Sequence, residues 1–427
     1  MASRPTEPRT DEAVILTTSE IFPNGIVELV LRDTRTGPEL LLWAREKCVI
    51  APEIKHEGST YRVPYLHPSI MKATRLASGI SDYGTTQQLI ESIKGLLREF
   101  IGILEPTIHI LVLWILSTWV ADCVPCPLCL AVSGFDMGLA VKLFLLLKSL
   151  VRRPLLMTEV SRGSFCSLMT PLHPTLLLNQ PGLSWKVREF LRTSNFAGLV
   201  VPGSGGVVGD VSGPKAIFIE SDLLLGAWSE STLHIALLPA RGALPPLDAG
   251  TQSLIADEYL PKLMLYRLRN VPKLNQLIPS KDPSRPINAD LWRACISDVP
   301  EFEQTVLPLL EAQREDGLSR AALDPDRGIV EVIWSPIHQN VDLTPTKIAD
   351  LLNALLRCRG EIREYTAEEV GWKLRHLGLY RQRGSGGMVL RACGENRQRT
   401  HLLAPRFGLD LPAVEGCPDC AAPEVVS

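Results

Sequence analysis

The sequence predicts an α/β protein: a parallel-sheet core, a small N-terminal β-rich module, and a C-terminal domain of three helices and a hairpin. Three observations predict it. Short, strongly apolar runs at Leu128–Val132, Leu155–Thr158, Thr175–Leu178, Ala216–Ile219 and Leu233–Leu237 alternate with helical or irregular segments. Fully buried parallel strands read this way. Between Leu128 and Leu156 lie a strand, the Ser133-Gly134 turn, an apolar helix and, after Arg152-Arg153-Pro154, a second strand. In units of that order the turn can cradle phosphate on the helix N-terminus. Late in the chain, helical runs at Ile329–Trp334, Thr346–Leu356 and Thr366–Leu377 precede two short strands around Gly384-Ser385-Gly386-Gly387.

Composition bounds the rest. A chain of 427 residues allows two or three domains, and 45% hydrophobic with 21% charged residues is ordinary for a globular protein. A net charge of −3 excludes a uniformly basic surface, so any nucleic-acid face is local. The ten cysteines are scattered, which suits buried thiols in a reducing cytoplasm rather than a disulfide framework. The opening MASRPTEPRTDEA has no apolar stretch of the signal-peptide kind. Thr107–Ala121 is apolar but ends at Asp122, short of the roughly 20 residues a membrane span needs, so it is read as a buried helix.

In chain order, residues 1–12 read as a disordered lead. Residues 13–78 form the β-rich module, with strands at Val14–Thr17, Ile26–Leu31 and Glu39–Trp43, and a further candidate at Tyr61–Leu66. The core spans 79–250. Thr86 or Thr85 caps its first helix, whose apolar positions Leu89, Ile90, Ile93, Leu96 and Leu97 have helical spacing. Gly203–Gly213 is glycine-rich, but no helix and no Lys-Ser/Thr pair follows it, so it reads as a hairpin turn. A helical lid occupies 251–325, with Trp292–Ile296 and Phe302–Gln313 its better helices and Pro272 a punctuation point. Three helices and a hairpin within 326–410 make a winged helix, closed by a helix at Glu395–Phe407. A tail follows over 411–427.

The core resembles the P-loop ATPase domain of helicase- and primase-associated proteins from bacterial mobile elements and phages. The resemblance rests on Ser133-Gly134-Phe135-Asp136-Met137-Gly138-Leu139-Ala140-Val141-Lys142 and on Arg152-Arg153-Pro154-Leu155-Leu156. It extends to Tyr365–Leu379 in the winged helix, and only loosely to the β-rich module and residues 255–325. In that family the loop is GxxxxGK[ST], whose Lys neutralises phosphate and whose hydroxyl holds Mg²⁺. Here Ala140 stands at the Lys position and Val141 at the hydroxyl position. Lys142 lies two places on, about 200° around the helix, where it cannot easily substitute. The acidic pair expected after the third strand is replaced by Asn179 and Gln180, which lack the charge that holds a hard cation. The arginine expected after the next strands is missing from Ser229-Glu230-Ser231-Thr232.

The resemblance therefore implies a DNA-associated, helicase-like protein of mobile-element replication that has lost its ATPase. No catalytic residue is assigned. Gly134, Gly138 and Lys142 are the nucleotide-binding candidates, and ATP and Mg²⁺ are cofactors only if the site is active. A divergent working ATP-dependent helicase and a decayed paralogue are the rivals. Residues 344–401 hold eleven Lys/Arg against six Asp/Glu, about +5 in a chain of net −3. Lys373, Arg375, Arg381, Arg383 and Arg391 are the candidate DNA contacts, with a protein-docking wing as the alternative. The expected partners are DNA and, in an oligomer, like or active ATPase chains; no membrane is expected. Cys123, Cys126 and Cys129 lead into a core strand and read as buried thiols. Cys417 and Cys420 have the spacing of half a zinc site, but no second pair lies near in sequence, so no metal is assigned.

Overall fold

The structure is a computed structural model that describes residues 13–124, 126–134, 136–159, 172–180, 200–202, 208–210, 212–219, 232–238, 242–274, 296, 298–384 and 387–421. Residues 1–12, residues 203–207 and 211 of the Gly203–Gly213 loop, Trp292 to Cys295 and Ser229 to Ser231 lie outside the described residues. The described chain divides into two compact units, one ending at Gln313 and the other beginning at Arg314.

The first unit opens with two small sheets. β1 (Ala13–Leu16), β7 (Ser59–Arg62) and β6 (Glu53–His56) form one, in the order β1-β7-β6. The other is an antiparallel meander of β2 (Ser19–Phe22), β3 (Gly25–Val30), β4 (Glu39–Ala44) and β5 (Lys47–Ala51). β3 is buried along its whole length, and Ile26 and Val30 on one of its faces join the main core. The β4–β5 turn places both Arg45 and Glu46 at positive φ (49° and 61°). That is the backbone of a two-residue hairpin normally built from Asn or Gly. The last apolar candidate strand, Tyr61–Leu66, is realised as β7, which ends at Arg62.

The short helix α1 (Pro68–Ala73) leads to α2 (Thr86–Phe100). Thr85, not Thr86, is its cap, in a capping box with Gln88. Thr86 instead donates its hydroxyl to Asp298, at 2.6 Å. α3 (Glu105–Thr118) is buried from Ile110 to Thr118, which fits an apolar run with no polar face. Its Trp114 indole donates to the Leu128 carbonyl, and Trp119 beyond it to Leu150. Among the described residues no helix is long and apolar enough to cross a membrane.

The centre of this unit is a five-stranded parallel sheet. β8 (Cys129–Ser133), α4 (Met137–Leu147), β9 (Pro154–Met157) and β10 (Thr175–Leu178) come first. β11 (Val200–Pro202) and β12 (Val208–Asp210) pair as a separate antiparallel hairpin. β13 (Lys215–Ile219) and β14 (Thr232–Ala236) complete the sheet in the order β14-β8-β13-β10-β9, every neighbour parallel. α5 (Ala249–Leu274) starts earlier than the expected lid boundary and contains both Pro261 and Pro272, so Pro272 does not end it. α6 (Pro300–Ala321) carries the chain into the second unit.

A buried charge cluster ties three of these layers together. Glu28 on β3 is fully buried. Arg152 Nη2 donates to both of its oxygens at 3.0 and 2.9 Å, Arg267 Nε on α5 donates at 2.8 Å, and Arg153 pairs with it as well. The Arg267 fork also holds Asp122 at 2.7 and 2.6 Å. Burial alone would raise the Glu28 pKa, but the three guanidiniums outweigh it and hold the group at about 2. Asp122 is held below the ordinary carboxylate range in the same way, with Arg267 and Arg152 opposing its desolvation.

The second unit contains α7 (Pro325–His338), α8 (Pro345–Cys358), α9 (Ala367–His376), β15 (Arg381–Gly384), β16 (Gly387–Leu390), α10 (Gly394–Arg406) and α11 (Pro418–Ala421). The first three helices start on sequence-legible caps: Asp324 and Thr344 each before a proline, and Thr366 in a capping box with Glu369. The β-branched run Ile329–Trp334 is helical, within α7. Its apolar side chains pack with Leu352, Leu356, Val370 and Leu374 in a core of their own. Leu343, between α7 and α8, exchanges two backbone hydrogen bonds with Leu390 of the β15–β16 hairpin, at 3.0 and 2.8 Å.

Removing Glu28 leaves Asp122 as the one carboxylate paired with these buried guanidiniums among the described residues. Glu28→Leu is expected to lower unfolding free energy by about 3–5 kcal/mol, read as a shifted urea midpoint. The folded-state pKa is depressed, so the stabilisation by Glu28 is present above the unfolded value near 4.5 and lost as pH falls through about 2. Acid unfolding of wild type is expected to steepen across that window relative to Glu28→Leu; parallel profiles contradict the cluster.

Candidate functional site

The turn after β8 lies at the C-terminal edge of the parallel sheet. Ser133 aligns with Ile219 of β13 on one side and Ala236 of β14 on the other. β8 is thus flanked by strands reached by different crossovers, and such a switch point is where open α/β sheets bind ligands. Gly134 sits at φ 154°, and a Cβ there would lie 2.8 Å from the Leu237 carbonyl oxygen. Glycine is required because the turn runs against the chain leaving β14; the Leu237 N–H donates to Ser133 O at 2.7 Å. Ser133 Oγ and His234 Nε2 lie 3.0 Å apart, and the His234 backbone is bracketed by the Gln313 amide.

The donor set of this turn does not fit a nucleotide phosphate. Asp136 caps α4, its carboxylate accepting from Leu139 N–H at 2.9 Å. A fixed anion therefore occupies the end of the helix that phosphate would need. Ala140, at the position where the resemblance places the lysine, is fully buried in the core with Leu143 and Phe144. Val141 points outward and half-exposed, and has no hydroxyl. Gly138 is exposed in the first turn. Lys142 is turned to the segment before α5, donating from Nζ to the Pro245 carbonyl at 2.6 Å, and burial lowers its pKa. Gly134, Gly138 and Lys142 therefore do not converge on one ligand position.

Asn179 and Gln180 follow β10 at the same sheet edge, with β13 between β10 and β8. The Asn179 N–H donates to Met157 O at 2.9 Å, and its side-chain oxygen is buried without a hydrogen-bond partner among the described residues. A neutral amide there supplies no charge for Mg²⁺.

The five basic candidates of the second unit divide into two groups. Lys373 is bound to Asp326 at 2.9 Å, and Arg391 to Asp342 at 2.6 Å and to Gln382 at 3.1 Å. Their charge is largely spent within the unit. Arg375 lies over the Trp372 ring at 4.8 Å, and Trp372 is 62% exposed. Arg381 crosses α9 where Gly371 makes room: a Cβ at Gly371 would lie 3.0 Å from its Nη1. Burial and the neighbouring Arg375 lower the Arg381 pKa, a sign that the two cations are held close. Arg383 is exposed on β15. Charge counting finds all five residues but cannot see the two carboxylates, Asp326 and Asp342, that neutralise a pair of them.

Comparisons with known proteins add little. No protein-family model matches the chain, and no curated protein matches it. Solved structures of the NrS-1 C terminal region (CTR) align over most of both chains at 9% identity. The A form apo structure covers 85% of this chain and 95% of that one, with a TM-score of 0.33. The A form apo structure of residues 305–718 covers 86% and 96% at TM-score 0.33, and a further apo structure of that region gives the same coverages at 0.35. Overlap this weak assigns neither fold nor function.

Ala140→Lys places an ammonium among Leu143 and Phe144 instead of at the turn. It is expected to destabilise the protein by several kcal/mol in urea unfolding, with no gain of MgATP binding by calorimetry. A variant of unchanged stability that binds MgATP contradicts this placement.

Proposed function

We propose that the chain is a DNA-associated, helicase-like protein without ATPase activity, serving as a binding or scaffolding subunit in mobile-element replication. The observation that carries this reading is the carboxylate of Asp136 fixed at the N-terminus of α4, in a turn that otherwise has the position of a phosphate loop. The sheet order supports a P-loop ancestry. β8 lies second from one edge, between β14 and β13; the chain leaves it through the Gly134 turn and α4 and crosses to the opposite edge at β9. The charges for phosphate and metal are absent from that frame at Ala140, Val141, Asn179 and Gln180.

The second unit supports the DNA side of the proposal. Three helices, the Leu343–Leu390 bridge and the β15–β16 hairpin have the order of a winged helix. Arg375, Arg381 and Arg383 form a basic strip from α9 to the hairpin, with the exposed ring of Trp372 beside it. Guanidiniums beside an exposed aromatic ring suit a phosphate backbone and a sugar or base edge. Glu368 and Glu369 at the start of α9 place negative charge at its first turn, and Glu369 is engaged in the capping box. The basic end of the helix is therefore the contact face.

Fluorescence anisotropy with a labelled duplex across a salt series tests the proposal. Changing Arg375, Arg381 and Arg383 together to Ala is expected to weaken binding and flatten the slope of log K against log salt by roughly 2 to 3. Arg391→Ala is expected to change both much less. Wild type that binds neither duplex nor single strands at low salt contradicts the DNA assignment, as does equal loss from the Arg391 variant and the triple variant.

A further inference from the structure

The tail of the chain returns to the second unit at one point, and the side chains gathered there are His338, His401, Cys417 and Cys420. One ligand atom from each lies within 4.8 Å of all the others. His338 Nε2 and His401 Nε2 are 3.0 Å apart, Cys417 Sγ is 3.5 Å from His401 Nε2, and Cys420 Sγ is 3.6 Å from both imidazole nitrogens. A tetrahedral zinc with bonds of about 2.0–2.1 Å to nitrogen and about 2.3 Å to sulfur requires N–N edges of about 3.3 Å and N–S edges of about 3.6 Å. Four of the six edges are within about 0.3 Å of those lengths, and the two from Cys417 Sγ to His338 and to Cys420 lie within 4.8 Å.

The surroundings prepare the same ligands. His338 Nδ1 lies 2.7 Å from the Trp334 carbonyl oxygen. A carbonyl can only accept, so Nδ1 carries the proton and Nε2 presents its lone pair to the cluster. The Trp334 ring packs against both imidazoles, with centroids 4.6 Å from each, and its own N–H donates to the Pro412 carbonyl at 3.2 Å. One side chain thus orients two ligands and pins the segment that delivers the other two. The Val414 N–H points at Cys420 Sγ, at 3.3 Å, where it would stabilise a thiolate. Cys417 is buried in a turn, and Cys417-Pro418-Asp419-Cys420 starts the short α11.

We propose that His338, His401, Cys417 and Cys420 form a structural Cys2His2 zinc site that fastens the tail to α7 and α10. Two thiolates and two imidazoles in a tetrahedral set favour zinc over hard cations. Four protein ligands leave no open position, so the site holds structure rather than chemistry. The inference is independent of DNA binding and of the nucleotide turn.

The test is metal content and ligand-field spectroscopy on the full chain, purified without a polyhistidine tag. After dialysis against metal-free buffer, wild type is expected to retain about one zinc per chain. Cys417→Ser with Cys420→Ser, and separately His401→Gln, are expected to lose it, while Cys358→Ser with Cys393→Ser keeps it. Chelator-stripped wild type titrated with Co²⁺ is expected to develop the visible d–d absorption of a tetrahedral thiolate site, bleached by added zinc. This needs no variant and decides the matter if the substituted chains fail to fold. Folded, reduced wild type with less than about a tenth of an equivalent of zinc and no Co²⁺ band overturns the proposal. So does zinc undiminished in the double serine variant, which would place the metal elsewhere.

Discussion

Glu28 is the group on which the first unit depends. It sits on a strand buried on both faces, and its charge is tolerable only because Arg152, Arg153 and Arg267 surround it. The arginines come from two places in the fold: Arg152 and Arg153 from the turn between α4 and β9, and Arg267 from the middle of α5. The cluster therefore fixes the N-terminal meander, the parallel sheet and the long helix with respect to one another. Apolar contacts alone tolerate sliding, whereas a carboxylate with three directional donors does not. Glu28 and Asp122 offset two of the three positive charges, and Asp122 meets Arg267 where the cluster approaches solvent, its side chain 31% exposed.

This constraint holds the sheet independently of the turn after β8. The strands from β8 to β14 are held by apolar packing and by the Glu28 cluster, neither of which uses the turn. Gly134 is needed by the close approach of Leu237, so it would be kept whether or not phosphate binds. Asp136 serves α4 as a cap, and Ala140 serves the core. Gly134, Asp136 and Ala140 each have a structural task, and none of those tasks requires a nucleotide. The sheet and any chemistry placed at its edge rest on different residues.

Much of the architecture was legible in the sequence because it depends on local pattern. The five sheet strands are runs of apolar residues at their expected places, and Thr366 with Glu369 announces α9. Other features depend on long-range geometry and left no local mark. Arg45-Glu46 carries no turn signal, and its positive φ values are imposed by the β4–β5 pairing. Arg152-Arg153 reads as a helix stop, and only the structure brings Glu28 to it across 124 residues. Lys373 and Arg391 look like DNA contacts until Asp326 and Asp342 are placed beside them. His338 and His401 are 63 residues apart, and nothing near either suggests a shared neighbour. The Cys417-Cys420 spacing was the one visible half of that set.

The central proposal is a nucleotide-binding frame that has lost its reaction. The most direct measurement is steady-state ATP turnover by the purified full chain with Mg²⁺, with and without saturating DNA. The account predicts a rate no greater than the protein-free blank under both conditions. Turnover that rises with DNA and disappears in Asp136→Ala or Lys142→Ala would contradict it.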